Sequence, residues 1–222
     1  MNEYSIKSIG IIGGTGKEGK GLAIRWAKAG YTILIGSRNL EKAFTASQEI
    51  IDTLGGKGNI TGMVNSEAAK TADIVVLTVP YAAHQSTLAE MKPYLAGKIL
   101  IDVTVPLVPP NVSRVQMPAA GSAAAEAQNV LGEDVTVVSA FQNISFENLL
   151  GEGEVDCDIL VCGNDSESKT VVLELVQAAG LTGWDAGPLD NSMVVEGLTS
   201  ILIGINKRHK VRSSGIKITG VH

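Results

Sequence analysis

Residues 9–38 read IGIIGGTGKEGKGLAIRWAKAGYTILIGSR: an apolar run, a glycine-rich turn, a helical pattern and a second apolar run. The G-x-G-x-x-G spacing, Gly14 to Gly19, lies between a strand and a helix, where this spacing is informative. Such glycines permit a tight turn and close approach to a pyrophosphate, and the helix N-terminus offers free N–H groups to the anion. The stretch predicts a dinucleotide-binding turn. Its cofactor-binding residues are Gly14, Thr15, Gly16, Lys17 and Glu18.

The end of the second strand predicts which dinucleotide binds. An NAD site has an acidic residue about 20 residues after the glycine turn, which holds the ribose 2′-hydroxyl. Here the strand ends in Ser37 and Arg38, and Lys42 follows one helical turn later. Cations at a helix N-terminus oppose the macrodipole unless an anion lies among them, and these side chains suit a 2′-phosphate. We therefore predict that Ser37, Arg38 and Lys42 bind NADP.

Strand and helix patterns alternate along the whole chain. Near-continuous apolar strands between helices of about 12 residues predict an α/β fold, a Rossmann doubly wound parallel sheet with a small C-terminal α/β cap domain. We expect residues 1–140 to form the NADP-binding Rossmann domain. Residues 141–222 are expected to complete the acceptor cleft and the dimer interface. The predicted strands are 8–12, 31–36, 60–64, 74–79, 98–103, 135–141, 159–162 and 182–185, and the predicted helices are 19–29, 41–54, 65–71, 84–95, 119–131, 166–179 and 192–207.

Composition limits the partners and the location. The chain has 222 residues, 45% of them hydrophobic, and a formal net charge of -5, which argues against a nucleic-acid or anionic-membrane surface spread over the whole molecule. The polar N-terminal lead has no basic n-region and no small-residue cleavage site, and the longest apolar stretch, residues 193–205, is too short to span a bilayer. We expect a cytoplasmic protein. Cys157 and Cys162 are predicted to be reduced core thiols on opposite faces of a strand.

Three later stretches are more particular than the glycine turn. They are ADIVVLTVPY at 72–81, CGNDSESKTVV at 162–172 and DAGPLDNSMVVEGLT at 185–199. Together with residues 9–38 they resemble the F420-dependent NADP reductases, which move hydride between NADP and the deazaflavin F420. The resemblance covers nearly the whole chain. It implies a nicotinamide in the cleft between a Rossmann domain and a small C-terminal domain, with the deazaflavin stacked against it.

The resemblance also implies roles for particular residues. Thr15, Ser37, Arg38 and Lys42 match the family's NADP-binding loop, and Val79-Pro80 matches its stretch beside the nicotinamide. The segment SAFQN at 139–143 matches the part that lies against the deazaflavin, with Gln142 where the family commonly has a histidine. The stretch 104–108 also differs from the family. The predicted acceptor-binding residues are Gln142, Asn143 and Thr199.

Hydride transfer requires little of the protein's own side chains. The two cofactors carry the chemistry, and the protein aligns their rings and excludes water, so no catalytic side chain is predicted. His84, His209 and His222 have no metal-ligand spacing, and no metal is expected. We interpret His84 as a helix-start surface histidine, with a proton donor as the alternative. Asn143 and the preceding glutamine either hydrogen-bond the acceptor's carbonyl or ring nitrogens or cap a strand end.

Other functions are open from the residues alone. An NADPH-dependent reductase of a flavin, quinone, metal chelate or small imine would have the same glycine turn. A non-catalytic module that senses NADP or binds a partner would have it too. For the enzyme readings, the expected partner is a small-molecule redox acceptor.

The last predicted helix carries two further signals. Val194, Leu198, Ile201, Leu202 and Ile205 form a broad apolar face, widened by Met193 and Ile203, and predict a homodimer. A basic cluster follows: Lys207, Arg208, His209, Lys210 and Arg212. Cations at the end of a helix favour its macrodipole, which explains the first two. The alternative is that Lys210 and Arg212 receive the anionic tail of the acceptor.

Overall fold

The computed structural model describes residues 6–151 and 153–221. Residues 1–5 of the polar lead and His222 lie outside this part. The strands are β1 Ser8–Ile12, β2 Thr32–Ser37, β3 Ile60–Val64, β4 Ile74–Leu77, β5 Ile99–Asp102, β6 Thr136–Ser139, β7 Asp158–Gly163 and β8 Thr182–Asp185. The helices are α1 Lys17–Lys28, α2 Leu40–Thr53, α3 Asn65–Thr71, α4 Tyr81–Met91, α5 Ala123–Leu131, α6 Phe146–Leu150, α7 Ser166–Ala178 and α8 Ser192–His209.

The strands form one sheet in the order β3-β2-β1-β4-β5-β6-β7-β8. Pairing is parallel from β3 to β6, antiparallel between β6 and β7, and parallel between β7 and β8. The first six strands have the doubly wound Rossmann order, so the predicted fold class is confirmed. The carboxyl ends of β1, β2, β4, β5 and β6 meet at one edge. The division of the chain at 140/141 stays a prediction.

Several element boundaries differ from those predicted. α4 begins at Tyr81 instead of 84, directly after Pro80. α5 begins at Ala123 instead of 119, because the Ser122 side chain accepts a hydrogen bond from the Ala125 N–H at 2.9 Å and caps the helix there. β6 ends at Ser139, and Phe141 has a φ of 72°, which turns the chain out of the strand. The short helix α6 was not predicted at all.

Apolar side chains pack on both faces of the sheet. On one face Trp26 is fully buried, meets Phe141 edge to face at 5.7 Å, and donates its indole N–H to the Leu175 carbonyl at 2.8 Å. Leu88, Met91, Ala124, Ala127 and Leu131 lie in the cluster on the other face. The predicted thiols Cys157 and Cys162 are buried and unpaired.

Helix α8 packs against the loop after β6 and against the start of α5, and it exposes part of its apolar surface. Val194 and Ile201 are 65% and 47% exposed. Leu202, predicted on the same outer face, is buried within the chain, so the face is narrower than predicted. Within the described residues, no helix is both long enough and apolar enough to cross a membrane.

Candidate functional site

The glycine turn between β1 and α1 is held by backbone hydrogen bonds and close contacts. Gly13 has a φ of 75°, and a Cβ there would lie 2.7 Å from Cγ1 of Val79. A Cβ on Gly19 would lie 2.8 Å from the Gly14 Cα, so this glycine lets α1 pack against the turn, as predicted. The Gly14 N–H donates to the Gly36 carbonyl at 3.0 Å and ties the turn to β2.

A cavity of about 1160 Å³ runs along the carboxyl edge of the sheet. Every residue predicted to bind the cofactor or the acceptor lines it, except Gly14, whose role is confined to the turn. The predicted residues that the fold brings together are Thr15, Gly16, Lys17, Glu18, Ser37, Arg38, Lys42, Val79, Pro80, Gln142, Asn143 and Thr199. They come from segments that are up to 184 residues apart in sequence, between Thr15 and Thr199.

One end of the cavity is basic. Arg38 and Lys42 are exposed there, and neither side chain has a hydrogen bond or ion pair within the described part of the chain. Asn39 caps α2 by accepting from the Lys42 N–H at 3.0 Å, and its own N–H donates to the Ser37 hydroxyl at 3.2 Å. The end of β2 and the start of α2 therefore present two uncommitted cations and a hydroxyl to the cavity.

Lys17 and Glu18 lie in the first turn of α1 and line the cavity. The Lys17 ammonium lies 4.7 Å from the ring centroid of Phe146, at the start of α6, so the two elements meet across the groove. Burial of its carboxyl raises the pKa of Glu18 to about 8. A neutral carboxyl at neutral pH does not repel an anion bound at the helix N-terminus.

His84 is fully buried, so the interpretation of a surface histidine is wrong. Its Nε2 lies 2.7 Å from an oxygen of the buried Asp102 at the end of β5. The other Asp102 oxygen accepts the N–H of Thr104 at 2.9 Å. Asp102 therefore holds the first turn of α4 and the loop after β5 together. The error follows from α4 starting earlier than predicted, which turns His84 inward.

The loop after β6 brings Gln142 and Asn143 to the cavity, and both are buried. Gln142 Nε2 donates to the Asp102 carbonyl at 2.7 Å and to the Ser139 hydroxyl at 2.9 Å. Asn143 Nδ2 donates to the Val195 carbonyl at 2.8 Å. The Thr199 hydroxyl, on α8, donates to the main-chain carbonyl of Gln142 at 2.8 Å. These bonds connect β5, β6 and α8 in a single polar wall.

Glu196 directly follows Val195, whose carbonyl belongs to this wall, and no role was predicted for it from the sequence. It is buried, and its carboxyl accepts the N–H groups of Ala123 at 2.7 Å and Ala124 at 3.1 Å, at the N-terminus of α5. Burial raises the pKa of Glu196 to about 8. Glu196 therefore joins α8 to α5 as a capping group, and it does not line the cavity.

The far end of the cavity includes residues from the C-terminal segment. Asn206, Arg212 and Ser214 line it, and Arg212 is exposed, 4.0 Å from the carboxylate of Glu147. Of the predicted basic cluster, Arg212 alone reaches the cavity lining. Lys207, Arg208 and His209 form the last turn of α8, and Lys210 is its left-handed cap.

Other cavity residues were missed because they carry no distinctive side chain or lie in segments without a pattern. They are Gly13, Asn39, Asn65, Thr78, Tyr81, Ala82, Ala83, Thr87, Val103, Thr104, Val105, Leu107, Pro109, Val112, Ile144, Ser145, Phe146, Leu202, Ile203, Asn206 and Ser214. For the residues after Val79 and Asp102, their place directly behind an apolar strand was a usable signal, because ligands bind at the carboxyl ends of parallel strands.

The sheet order, the glycine turn and the basic end of the cavity define a Rossmann-type dinucleotide-binding protein. The model of the family "NADP oxidoreductase coenzyme F420-dependent" matches residues 8–106. The F420-dependent NADP reductase of Methanocaldococcus jannaschii is 44% identical, over 96% of this chain and 98% of the relative. That of Methanothermobacter thermautotrophicus is 40% identical, over 100% of this chain and 98% of the relative. The chain belongs to the family of F420-dependent NADP reductases.

A solved structure supports the same fold. The crystal structure of a protein from Arthrobacter sp. FB24 superposes with a TM-score of 0.80. The superposition covers 97% of this chain and 100% of that chain, at 23% sequence identity. At this identity the likeness concerns the fold alone.

Proposed function

We propose that this chain is an oxidoreductase that transfers hydride between NADP(H) and the deazaflavin F420. The observation that carries the proposal is the cavity, in which the basic end and the polar wall of Gln142 and Asn143 share one space. Its volume, about 1160 Å³, exceeds the roughly 300–1,000 Å³ of a pocket for one drug-sized ligand. The family's two ring systems fit a space of this size, and the relatives that are 40% and 44% identical are named for this reaction.

At the basic end, we assign the 2′-phosphate of NADP to Ser37, Arg38 and Lys42. Both cations are uncommitted, and a guanidinium binds a phosphate through two parallel N–H groups. The pyrophosphate is assigned to the turn at Thr15 and Gly16, where the N-terminal N–H groups of α1 are available. Lys17 and Glu18 flank this turn.

At the centre and the other end, the protein's part is alignment and exclusion of water. When bound, the nicotinamide and the deazaflavin supply the hydride chemistry themselves. We assign the nicotinamide to the apolar wall that Val79 and Pro80 contribute to the cavity. Gln142, Asn143 and Thr199 form the acceptor-binding wall, which their mutual hydrogen bonds hold in one arrangement. No side chain is assigned a catalytic role.

The test is an absorbance assay with the purified chain, NADPH and F420. Loss of deazaflavin absorbance together with oxidation of NADPH is expected. Matched reactions replace F420 with a flavin, a quinone, a ferric chelate or a cyclic imine at equal concentration. Faster turnover of any of these would make the chain a reductase of that acceptor. Tight NADP+ binding without turnover of any acceptor would make it a sensing module.

We also propose a homodimer that joins through α8, and a cytoplasmic location in keeping with the two unpaired thiols. Met193, Val194 and Ile201 are 46%, 65% and 47% exposed, which is a large apolar area for a single helix. Ile201→Asp is expected to halve the mass measured by light scattering, while Phe44→Asp, at an exposed apolar position on α2, leaves it unchanged. A monomeric mass of the unaltered chain at micromolar concentration contradicts the proposal.

A further inference from the structure

We infer that Asp102 is a positioning residue that sets the spacing between the two sides of the cavity. It is the last residue of β5, and it pairs with the last residues of β4 and β6 on either side. The segments that directly follow these three strands all contribute to the cavity lining. The inference rests on the proposed function, because it concerns the geometry of the same reaction.

The carboxylate of Asp102 joins β5 to helix α4. One oxygen lies 2.7 Å from Nε2 of His84, and the other accepts the Thr104 N–H at 2.9 Å. The side chains of Asp102 and His84 are both fully buried. His84 directly follows residues 79–83, which line the cavity. The pair therefore fixes where this stretch lies relative to β5.

The main-chain carbonyl of Asp102 makes a link in the other direction. It accepts the side-chain N–H of Gln142 at 2.7 Å and the main-chain N–H of Ala140 at 3.3 Å. Gln142 begins the part of the loop after β6 that lines the cavity. One residue thus holds both the stretch assigned to the nicotinamide and the loop assigned to the acceptor.

The surroundings of the His84 ring define where its hydrogen lies. Nε2 faces a carboxylate oxygen, so it carries a hydrogen and donates it. Nδ1 is buried and has no hydrogen-bond partner within the described residues. A hydrogen on Nδ1 would be a buried donor without an acceptor, which is costly. The ring is therefore neutral, with its hydrogen on Nε2, and it donates to an ionised Asp102.

This arrangement matters more for hydride transfer than for binding either ligand. Each ligand binds through groups on its own side of the cavity, whereas transfer requires the two rings to lie at a set distance from each other. A displacement of about 1 Å between reacting groups costs about a hundredfold in rate. Loosening Asp102 should therefore lower kcat and leave the affinity for each ligand nearly unchanged.

Three single variants test the link in a steady-state assay with NADPH and F420. Asp102→Asn keeps the shape of the side chain but turns an amide N–H toward the Nε2–H of His84, and is expected to lower kcat by about ten- to a hundredfold. Both KM values should stay within about twofold. His84→Gln is the conservative variant, because its amide nitrogen lies as many bonds from the backbone as Nε2, and it should keep kcat within about threefold. His84→Met has the same length and no donor, and should lose as much as Asp102→Asn.

The double variant with Asp102→Asn and His84→Gln distinguishes the hydrogen bond from the negative charge. The introduced glutamine amide is able to turn its oxygen toward the introduced asparagine N–H, so the bond forms again in the opposite direction. We expect kcat to return to within about threefold of the unaltered chain, a strongly non-additive result. A double variant as slow as Asp102→Asn alone overturns the inference.

Asp73→Asn is the matched control for a general effect on the fold. Asp73 accepts the N–H groups of Lys7 and Ser8 at 2.9 and 2.8 Å, at the amino end of the sheet, and does not line the cavity. Its kcat should not change, even where the free energy of unfolding falls. An equal loss of kcat in Asp73→Asn and Asp102→Asn overturns the inference. So does a Kd for NADP+ or F420 that weakens in Asp102→Asn as much as kcat falls.

Nuclear magnetic resonance of the isotope-labelled, unliganded chain gives a readout without turnover. The His84 signal is assigned by its absence from His84→Gln, and its hydrogen should lie on Nε2 in the unaltered chain and on Nδ1 in Asp102→Asn. A hydrogen on Nδ1 in the unaltered chain overturns the inference alone. A hydrogen on Nε2 without any reduction of F420 overturns the proposed function alone. If Asp102→Asn does not fold, this signal and the comparison of His84→Gln with His84→Met decide the question.

Discussion

Replacing Arg38 with alanine removes one of the two cations at the basic end of the cavity. Arg38 is exposed, and its guanidinium makes no hydrogen bond or ion pair with the described residues. The fold therefore loses no hydrogen bond or ion pair among the described residues, and the effect of the substitution falls on the bound ligand. The 2′-phosphate that we assign to Arg38 is absent from NAD, so the two dinucleotides should respond differently.

The magnitude follows from the kind of bond and from its exposure. A hydrogen bond to a charged group contributes about 1.5–3 kcal/mol, and exposure to solvent favours the lower part of that range. Lys42 remains beside the phosphate and keeps part of the attraction. We expect a loss of about 1.5–2 kcal/mol, or roughly ten- to thirtyfold in Kd for NADP+. The Kd for NAD+ should change by less than about twofold.

Titration calorimetry with NADP+ and NAD+ measures both values on the same preparation. Arg208→Ala is the matched control, because Arg208 is an exposed arginine at the end of α8 that does not line the cavity. The difference should shrink at 1 M salt, where the Debye length is about 3 Å. Equal losses for NAD+ and NADP+ would refute the assignment of the 2′-phosphate to Arg38.

Three other predictions concern pH, packing and the acceptor. With a pKa of about 8, the Glu18 carboxyl is neutral at pH 7 and ionised at pH 9, so NADP+ should bind more weakly at pH 9. One added negative charge near the pyrophosphate costs about 1 kcal/mol, which is roughly a fivefold increase in Kd. Glu18→Gln should abolish this pH dependence in calorimetric titrations. A Cβ on Gly21 would lie 2.5 Å from the Leu149 Cβ between α1 and α6, so Gly21→Ala should lower the free energy of unfolding in urea by about 1–3 kcal/mol. Gly204→Ala is the control and should leave it unchanged, because a Cβ there meets only the flexible end of Arg208 at 3.3 Å. Equal effects of the two substitutions would contradict the packing argument. Changing Lys210 and Arg212 together to alanine should raise the KM for the acceptor at low salt and leave the KM for NADPH unchanged. An unchanged KM for the acceptor would show that the two residues do not bind it.

Local patterns in the sequence determined the fold class and the cofactor end of the cavity. Strand β3 and helix α3 have the predicted bounds, because their apolar periods and breakers act over a few residues. The glycine turn and the pair Arg38 and Lys42 were also readable, since each lies within one strand–turn–helix unit. A backbone turn or a charge at the start of a helix is determined by neighbouring residues, so the sequence pattern alone predicts it.

Tertiary structure alone decided the rest. The buried His84 on α4 pairs with Asp102 at the end of β5, and Leu202 on α8 is buried within the chain. The side-chain amide of Gln142 donates to a carbonyl 40 residues away in the chain. Such properties depend on which segments meet in space, and the sequence pattern within one segment does not predict which distant segments contact it. The sequence by itself therefore determined what kind of cavity the chain builds, and the packing of β5, β6 and α8 determined which side chains of the polar wall are buried and what they bond.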